Sequence, residues 1–388
     1  MDKRVYFLMI VSFIVGMVEL IIGGILDLIA TDLHVSLGQA GLLITIFSFI
    51  FAVAAPILLI VTGKIERKRL TIVFLLIFLI GNIVTVVSPS FSILFIGRII
   101  TAISGSLLII LCLVMAPQLV SPAYRGRAIG IVSMGISGSL VLGVPIGLML
   151  GNAFGWRAPF ILITGLTIFS IIGVYFWMDR VEPKPSIPLK KQLETLKNRK
   201  ILFAHVTTFL FLAGHTTLYA YLKPFLQSAM ALDGVWISII YLIFGIAAVS
   251  GGGIGGIFAD RFGSRRTIFI TIFIFGIAIF SLPFSTFSKS LFIIVMIIWG
   301  MMSWAITPAM QSYLIEAAPE TSDIHQSLNN SALHFGIACG SFIGGIVIER
   351  ATVIYNAFVG SVFVILSLGI AAVFMHNGRV LAHKRESE

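Results

Sequence analysis

Twelve stretches of about 20 mostly apolar residues run through this 388-residue chain, and nothing else in it constrains the fold as tightly. A helix needs about 20 such residues to cross a bilayer. The stretches are 5–30, 37–62, 70–88, 91–115, 127–150, 157–178, 201–226, 235–258, 267–285, 290–314, 324–348 and 353–376. They are too long, and alternate too weakly, for the strands of a membrane barrel. Charged residues make up 11% of the chain and its mean hydropathy is +1.08. Ordinary globular domains carry about 25% charge. Disorder, a secreted disulfide scaffold and a water-soluble enzyme domain are therefore excluded. The first stretch follows Lys3 and Arg4 but runs past signal-peptide length without a small-residue cleavage site, so it reads as a retained span. The expected fold class is an all-α membrane protein with 12 transmembrane helices.

A chain that avoids charge still carries a net +10. Threading the twelve spans alternately across a membrane sorts the excess. Of the 26 Lys and Arg, 21 fall on the side of the N-terminus, four (Arg157, Lys223, Lys289, Arg350) fall on the other, and Arg98 lies inside a span. By the positive-inside rule both termini are expected in the cytoplasm of a cell-membrane protein. The same dispersal over short loops argues against nucleic-acid binding. Cys112 and Cys339 sit in separate spans and read as buried free thiols. CxxC, HExxH, Walker and GxSxG patterns do not occur, so no metal, no cofactor and no enzymatic chemistry is expected.

The polar segment DRVEPKPSIPLKKQLETLKNRK divides the chain. An offset of 197 residues lays the second half on the first without gaps. Leu94-Phe95-Ile96 falls on Leu291-Phe292-Ile293, Arg69 on Arg266, Gly143 on Gly340 and Gly147 on Gly344. The expected organisation is two pseudo-symmetric six-helix bundles, 1–178 and 201–376, a cytoplasmic linker 179–200 and a tail 377–388. Two such repeats are the layout of rocking transporters with a midplane site between the halves.

Local motifs carry a family resemblance. GGIFADRFGSRR resembles the loop signature of the major facilitator superfamily through Gly256, Asp260, Arg261, Gly263, Arg265 and Arg266. That resemblance implies a tight turn and an acid–base pair that locks the inner gate. The first-half counterpart, LLIVTGKIERKRL, has Gly63 where the acid would stand. LFIGRIITAISG around Arg98 is similar to the family's second motif. GISGSLVLGVPIG, with Gly135, Gly143, Pro145 and Gly147, resembles the antiporter motif of the 12-span drug:proton exporters, with Gly-Val-Pro for the usual Gly-Pro. Its glycines allow close helix approach, and its proline can bend the helix. AGHTTLYAYLKPFL and SYLIEAAPETSDIHQSLNNSAL resemble the bacterial purine base and nucleoside efflux pumps. Asp27 departs from that branch, which usually has proline there.

Ionisable side chains inside a membrane are costly and mark function by default. Glu19 and Arg98 both lie roughly 12 Å from the outer face at 1.5 Å per residue. At matching depth they form either a proton-competed contact or a permanent structural pair. A carboxylate held between burial and a guanidinium can change protonation with conformation. His215 aligns within one residue of Glu19 through the offset. It either titrates or is satisfied by a neighbouring helix. Asp27 and Lys223, near the outer surface, read as solvated. In span 11, Gln326, Asn330 and His334 recur at i, i+4 and i+8 and so share one face. They are expected to line a cavity, with Tyr219 of span 7 and Trp304 of span 10 as aromatic walls, Tyr221 and Trp299 being further candidates. Amides, a histidine and aromatic faces suit a flat heterocycle such as a purine, and equally a planar drug.

The expected function is proton-driven export of a small solute across a lipid bilayer by a monomer, with Glu19, Arg98 and His215 in proton coupling. A broad multidrug or sugar exporter is the alternative. An intramembrane enzyme would need a histidine with a nearby acid at an interface, and a sensor would need an added cytoplasmic domain.

Overall fold

The computed structural model describes residues 2–121, 124–183 and 194–376. The tail 377–388, residues 184–193 of the expected linker, and with them Lys184, Lys190, Lys191, Arg379, Lys384 and Arg385, lie outside the described residues.

The apolar runs become helices, bounded by short polar caps. The first span is α1 (Lys3–Leu20) and α2 (Ile22–Asp32), bent by 49° at Ile21. The next three are α3 (Leu37–Val61), α4 (Arg67–Val87) and α5 (Phe91–Met115). The fifth is α6 (Arg125–Gly138), a π-helical turn Ser139–Gly143, and α7 (Val144–Phe154); α8 (Ala158–Trp177) is the sixth. The second half holds α9 (Arg199–Tyr219) with the short α10 (Leu222–Met230), then α11 (Gly234–Phe262), α12 (Ser264–Ser285), α13 (Lys289–Ala317), α14 (Ser322–Arg350) and α15 (Tyr355–His376). Among the described residues eleven helices are long and apolar enough to cross a membrane, or twelve with the bent pair as one span. No strand occurs among the described residues.

Caps fix where the helices begin. Ser36 opens α3 with a capping box: its Oγ accepts from the Gln39 amide at 3.1 Å, and Gln39 Oε1 accepts from the Ser36 amide at 3.0 Å. Glu66 opens α4 by accepting from the amides of Lys68 and Arg69 at 2.7 and 2.8 Å. A π turn adds one residue per hydrogen-bonded ring and displaces a helix locally. In the fifth span it falls just before Pro145, the proline expected to bend the helix, which stands at the start of α7.

The helix ends at Arg69, Arg127, Arg261 and Arg266, with the turn that carries Lys64, lie on one side, called the basic face below; Asp32, Arg157 and Arg350 mark the opposite face. There Asp32 accepts from Trp156 Nε1 at 2.8 Å and from Arg157 at 2.7 Å, and Arg157 also reaches the Ser88 carbonyl at 2.8 Å. One arginine thus ties the ends of three spans.

The two halves meet along α14 against α3, and along α11 against α7 and the π turn. Bonds between them start at the opposite face with Ser36 Oγ donating to Glu349, continue with Ser341 donating to the Gly41 carbonyl at 3.0 Å, and reach Ser331 donating to the Ala52 carbonyl at 3.0 Å. Ala52 stands fifteen residues into α3, roughly 22 Å along it. The protein is closed at the opposite face.

Candidate functional site

Glycines of the fifth span set the position of the first. A Cβ on Gly135 would strike the Met9 carbonyl oxygen, and one on Gly147 the Ile21 side chain; Gly143 faces Met17. The antiporter-like run therefore clamps α1 and its break at close range. Glu19 sits two residues before that break. Its Oε1 lies 3.6 Å from His334 Nδ1, so an acid from the first half faces an imidazole from the second. The Glu19 side chain keeps 19% of its surface open, whereas His334 is buried. His334 in turn packs on Phe51 of α3, ring centroids 4.1 Å apart. The pair is a true ion pair only when the histidine is protonated.

Arg98 does not pair with Glu19. Its guanidinium is fully buried, donates Nη1–H to the Val18 carbonyl at 2.8 Å and Nε–H to the Leu43 carbonyl at 3.3 Å, and lies 4.1 Å from the Phe47 ring. The last turn of a helix leaves carbonyls without intrahelical donors. Val18 belongs to that last turn of α1, so the arginine supplies a donor where the broken helix lacks one, and stacks on an aromatic face. The direct acid–base pair expected from matching depths is replaced by a backbone clasp one residue away from the acid.

In the second half His215 is enclosed by rings: Tyr219 at 5.1 Å, Trp299 at 5.3 Å, Phe275 at 5.7 Å and Phe244 at 6.1 Å between centroids. Tyr219, expected as an aromatic wall of a solute cavity, packs on His215 as part of this cage. The tryptophan in it is Trp299; Trp304 is half-buried against the core elsewhere on α13. Tyr221 instead donates to the Ser341 carbonyl at 2.9 Å and serves the helix seam. His215 Nδ1, Tyr219 Oη and Trp299 Nε1 are buried and unpaired within the protein. Buried polar atoms without partners are uncommon and call for an explanation.

The span 11 stripe divides by face. Asn330 is exposed and Gln326 half-buried. By helical register both share the side of His334. That side is turned away from an apolar groove of about 490 Å³ on the outside of the seam, lined by Phe49, His205, Phe209, Phe335, Cys339 and Phe342. Cys339 is thus only half-buried, unlike Cys112. A residue the sequence reading passed over, Asn329, faces the other way. It accepts from Thr208 at 2.8 Å and lies 3.3 Å from His205 Nδ1, tying span 11 to span 7.

At the basic face the loop signature folds as a tight turn. Gly263 takes φ +87°, a left-handed conformation that ends α11. Gly255 lets α11 approach the Ala305 backbone of α13, while Gly256 touches only Pro308. Arg265 lies 5.7 Å from the Tyr313 ring, and Ser264 donates to Glu316 at 2.8 Å. Asp260, Arg261 and Arg266 are exposed, and no ion pair joins Asp260 to an arginine among the described residues. In the first half, where Gly63 replaces the acid, Glu66 takes over part of the work. Besides capping α4 it accepts from the Val181 amide at 2.8 Å, just past the sixth span. Burial works to raise its carboxyl, but the amides of Val181, Arg69 and Lys68 outweigh it and hold it below the ordinary value. Arg67, expected in a loop, is buried and donates to the Thr62 and Gly63 carbonyls.

The sequence pattern of the Major Facilitator Superfamily matches residues 8–323. The chain belongs to that superfamily. It is 33% identical over 376 residues to the MFS-type transporter YbcL of Bacillus subtilis, covering 97% of this chain and 96% of the relative. It is 28% identical over 340 residues to the inner membrane transport protein YdhP of Escherichia coli, covering 87% of each. In fold it is similar to a bacterial homologue of the human lysosomal transporter Spinster, in an inward-facing and unoccupied conformation, with TM-score 0.77, 16% identity and 96% of each chain covered. The nucleoside transporter NupG gives TM-score 0.77 at 14% identity, over 96% of this chain and 98% of the other. This facilitator is therefore a transporter and not an enzyme. Its partners are a small-molecule solute and the lipid bilayer it spans. Among its described residues no group of His, Cys, Asp and Glu is arranged to hold a metal ion.

Proposed function

We propose that this facilitator exports a small planar solute, a purine base or nucleoside, in exchange for protons by alternating access. The observation that carries the reading is the 3.6 Å approach of Glu19 and His334 across the two halves. An acid whose partner belongs to the other half changes its surroundings whenever the halves rock. Protonation and conformation are thereby linked. In this reading the basic face is cytoplasmic, with both termini on it, residues 1–178 and 201–376 are the rocking bodies, and 179–200 connects them. One copy of the chain suffices, because it supplies both sides of the interface.

Glu19 carries the proton. Arg98 holds the backbone beside it. Gln326, Asn330 and His334 offer hydrogen bonds to the solute from span 11. His215, Tyr219 and Trp299 offer ring faces and unpaired polar atoms from the second half, chemistry suited to a flat heterocycle. Trp304 is an outer wall residue of the same span as Trp299. Gly135, Gly143, Pro145 and Gly147 hold the seam of an antiporter. Asp260 and the arginines Arg261, Arg265 and Arg266 form the inner-gate lock when that face closes.

Purine efflux in inverted membrane vesicles, with and without an imposed proton gradient, tests the coupling. Glu19→Gln is expected to remove the gradient-dependent component; undiminished gradient-driven export would reject it. The solute is tested by overexpression against 6-mercaptopurine and 2-fluoroadenine. Resistance is expected. No resistance to these analogues, together with resistance to cationic dyes, would make the protein a multidrug exporter.

A further inference from the structure

The geometry points to Asp27 and Lys223 as the latch of the gate on the face opposite the basic loops. Lys223 falls within the run that resembles the purine efflux pumps and Asp27 departs from that branch, yet both read as solvated in the sequence. The structure places Lys223 Nζ 2.7 Å from Asp27 Oδ1, with the lysine side chain 3% exposed and the aspartate 24%. Asn152 Oδ1 lies 3.4 Å from the same ammonium, and Gln227 Nε2 lies 3.5 Å from Asp27 Oδ2. Asp27 and Asn152 stand on α2 and α7 of the first half; Lys223 and Gln227 stand on α10 of the second. Every bond of this cluster that involves the charged pair therefore spans the boundary that alternating access must open.

The surroundings close around it. Gly23 of α2 meets the Ala220 backbone, and the Tyr241 hydroxyl lies 3.5 Å from the Gly23 carbonyl. A buried ammonium is costly unless paired, because its hydration is lost. Lys223 can be buried here only while Asp27 faces it. When this face opens, both groups return to water and the attraction is screened. The pair thus weights the equilibrium toward the state closed at this face. At the basic face the reverse holds, since Asp260 is exposed and unpaired with the arginines of its loop. One gate has its ion pair made while the other has it unmade.

The pair is asymmetric, and this gives a sharp test. Removing Asp27 strands a charge that is 3% exposed; removing Lys223 leaves a carboxylate that already reaches water. Asp27→Asn should therefore open the gate more than Lys223→Met. The inference rests on alternating access and on neither Glu19 nor the identity of the solute.

The reporters are single cysteines in the full chain with Cys112 and Cys339 replaced by serine. Ala220→Cys sits inside the closed gate. Asn330→Cys is exposed, eight residues from the Ser322 end of α14, the end at the basic face. Each is labelled with a membrane-impermeant maleimide from its own side in oriented vesicles. Asp27→Asn is expected to speed Ala220→Cys labelling about ten-fold and to slow Asn330→Cys labelling. Lys223→Met should do the same to a smaller extent. The charge-reversed pair, Asp27→Lys with Lys223→Asp, should restore protection. Unchanged labelling in both neutral variants overturns the latch. If Asp27→Asn speeds both reporters, as unfolding would, the reversed pair decides: restored protection supports the latch and continued labelling overturns it. A reciprocal response of the reporters to Glu19→Gln, with none to Asp27→Asn, leaves alternating access standing and removes the latch alone.

Discussion

Glu19 and His215 occupy corresponding places in the two halves, yet the structure gives them opposite settings. Glu19 stands beside a helix break, at the seam, with its nearest ionisable partner on the other half. His215 stands within the second half, walled by four rings of that half's own helices. A group that touches both halves registers their relative position. A group enclosed by one half registers only what enters that half. Pseudo-symmetry of sequence therefore preserves depth while leaving the role to be decided by what lies across the seam.

The sharpest way to break this comparison is to exchange the two chemistries. Glu19→Gln is expected to abolish gradient-driven export, whereas His215→Gln should keep it and weaken solute affinity about ten-fold, the loss of one buried hydrogen-bonding group. Transport assays at varied solute concentration separate the two: equal loss of the gradient response in both variants would erase the distinction. Next in size is the clamp that positions Glu19. Gly135→Leu forces a side chain into the α1 backbone and should destabilise the protein by about 1–3 kcal/mol. Gly126→Leu, with open space around its Cβ, should not. Melting in detergent compares them. Smaller again is the contrast between tryptophans: Trp299→Phe should lower solute binding more than Trp304→Phe, measured by equilibrium binding, because only Trp299 joins the cage.

The smallest effect concerns the basic-face loop. Glu66→Gln weakens the cap on α4 and the tie to Val181, costing about 1 kcal/mol. The Glu66 carboxyl is held below its ordinary 4.5. Its contribution is therefore present above that value and lost as the pH falls through the lowered one. A thermal melt at neutral pH should separate wild type from Glu66→Gln, and the difference should shrink under acid conditions.

Hydropathy made the spans legible, because a bilayer leaves a chain few other ways to satisfy its backbone. The breaks were less legible. Gly23 and Gly24 follow Ile21, and Lys223 and Pro224 follow Tyr221, but neither breaking residue is itself a proline or glycine, so the position of each break is not marked. Depth along a helix correctly brought Arg98 near Glu19 but gave no azimuth, so the carbonyls of Val18 and Leu43 could not be foreseen as its partners. The i, i+4, i+8 stripe separated Asn330 from Asn329 by face, and the latter's bond to Thr208 needed the packing of another helix to appear. Asp27 and Lys223 each read as solvated when taken alone, near a surface. Their pairing exists only once the two halves are assembled.

The 49° break at Ile21 has a mechanical consequence. A straight span would pass a push at Asp27 along its axis to the acid below. A jointed one turns that push into a torque about the joint, with α2 as a lever roughly 16 Å long. The inner arm is gripped by the fifth span and by Arg98, so it has little freedom to slide. What it receives from the outer arm is rotation, which changes the approach of the Glu19 carboxylate to an imidazole 3.6 Å distant.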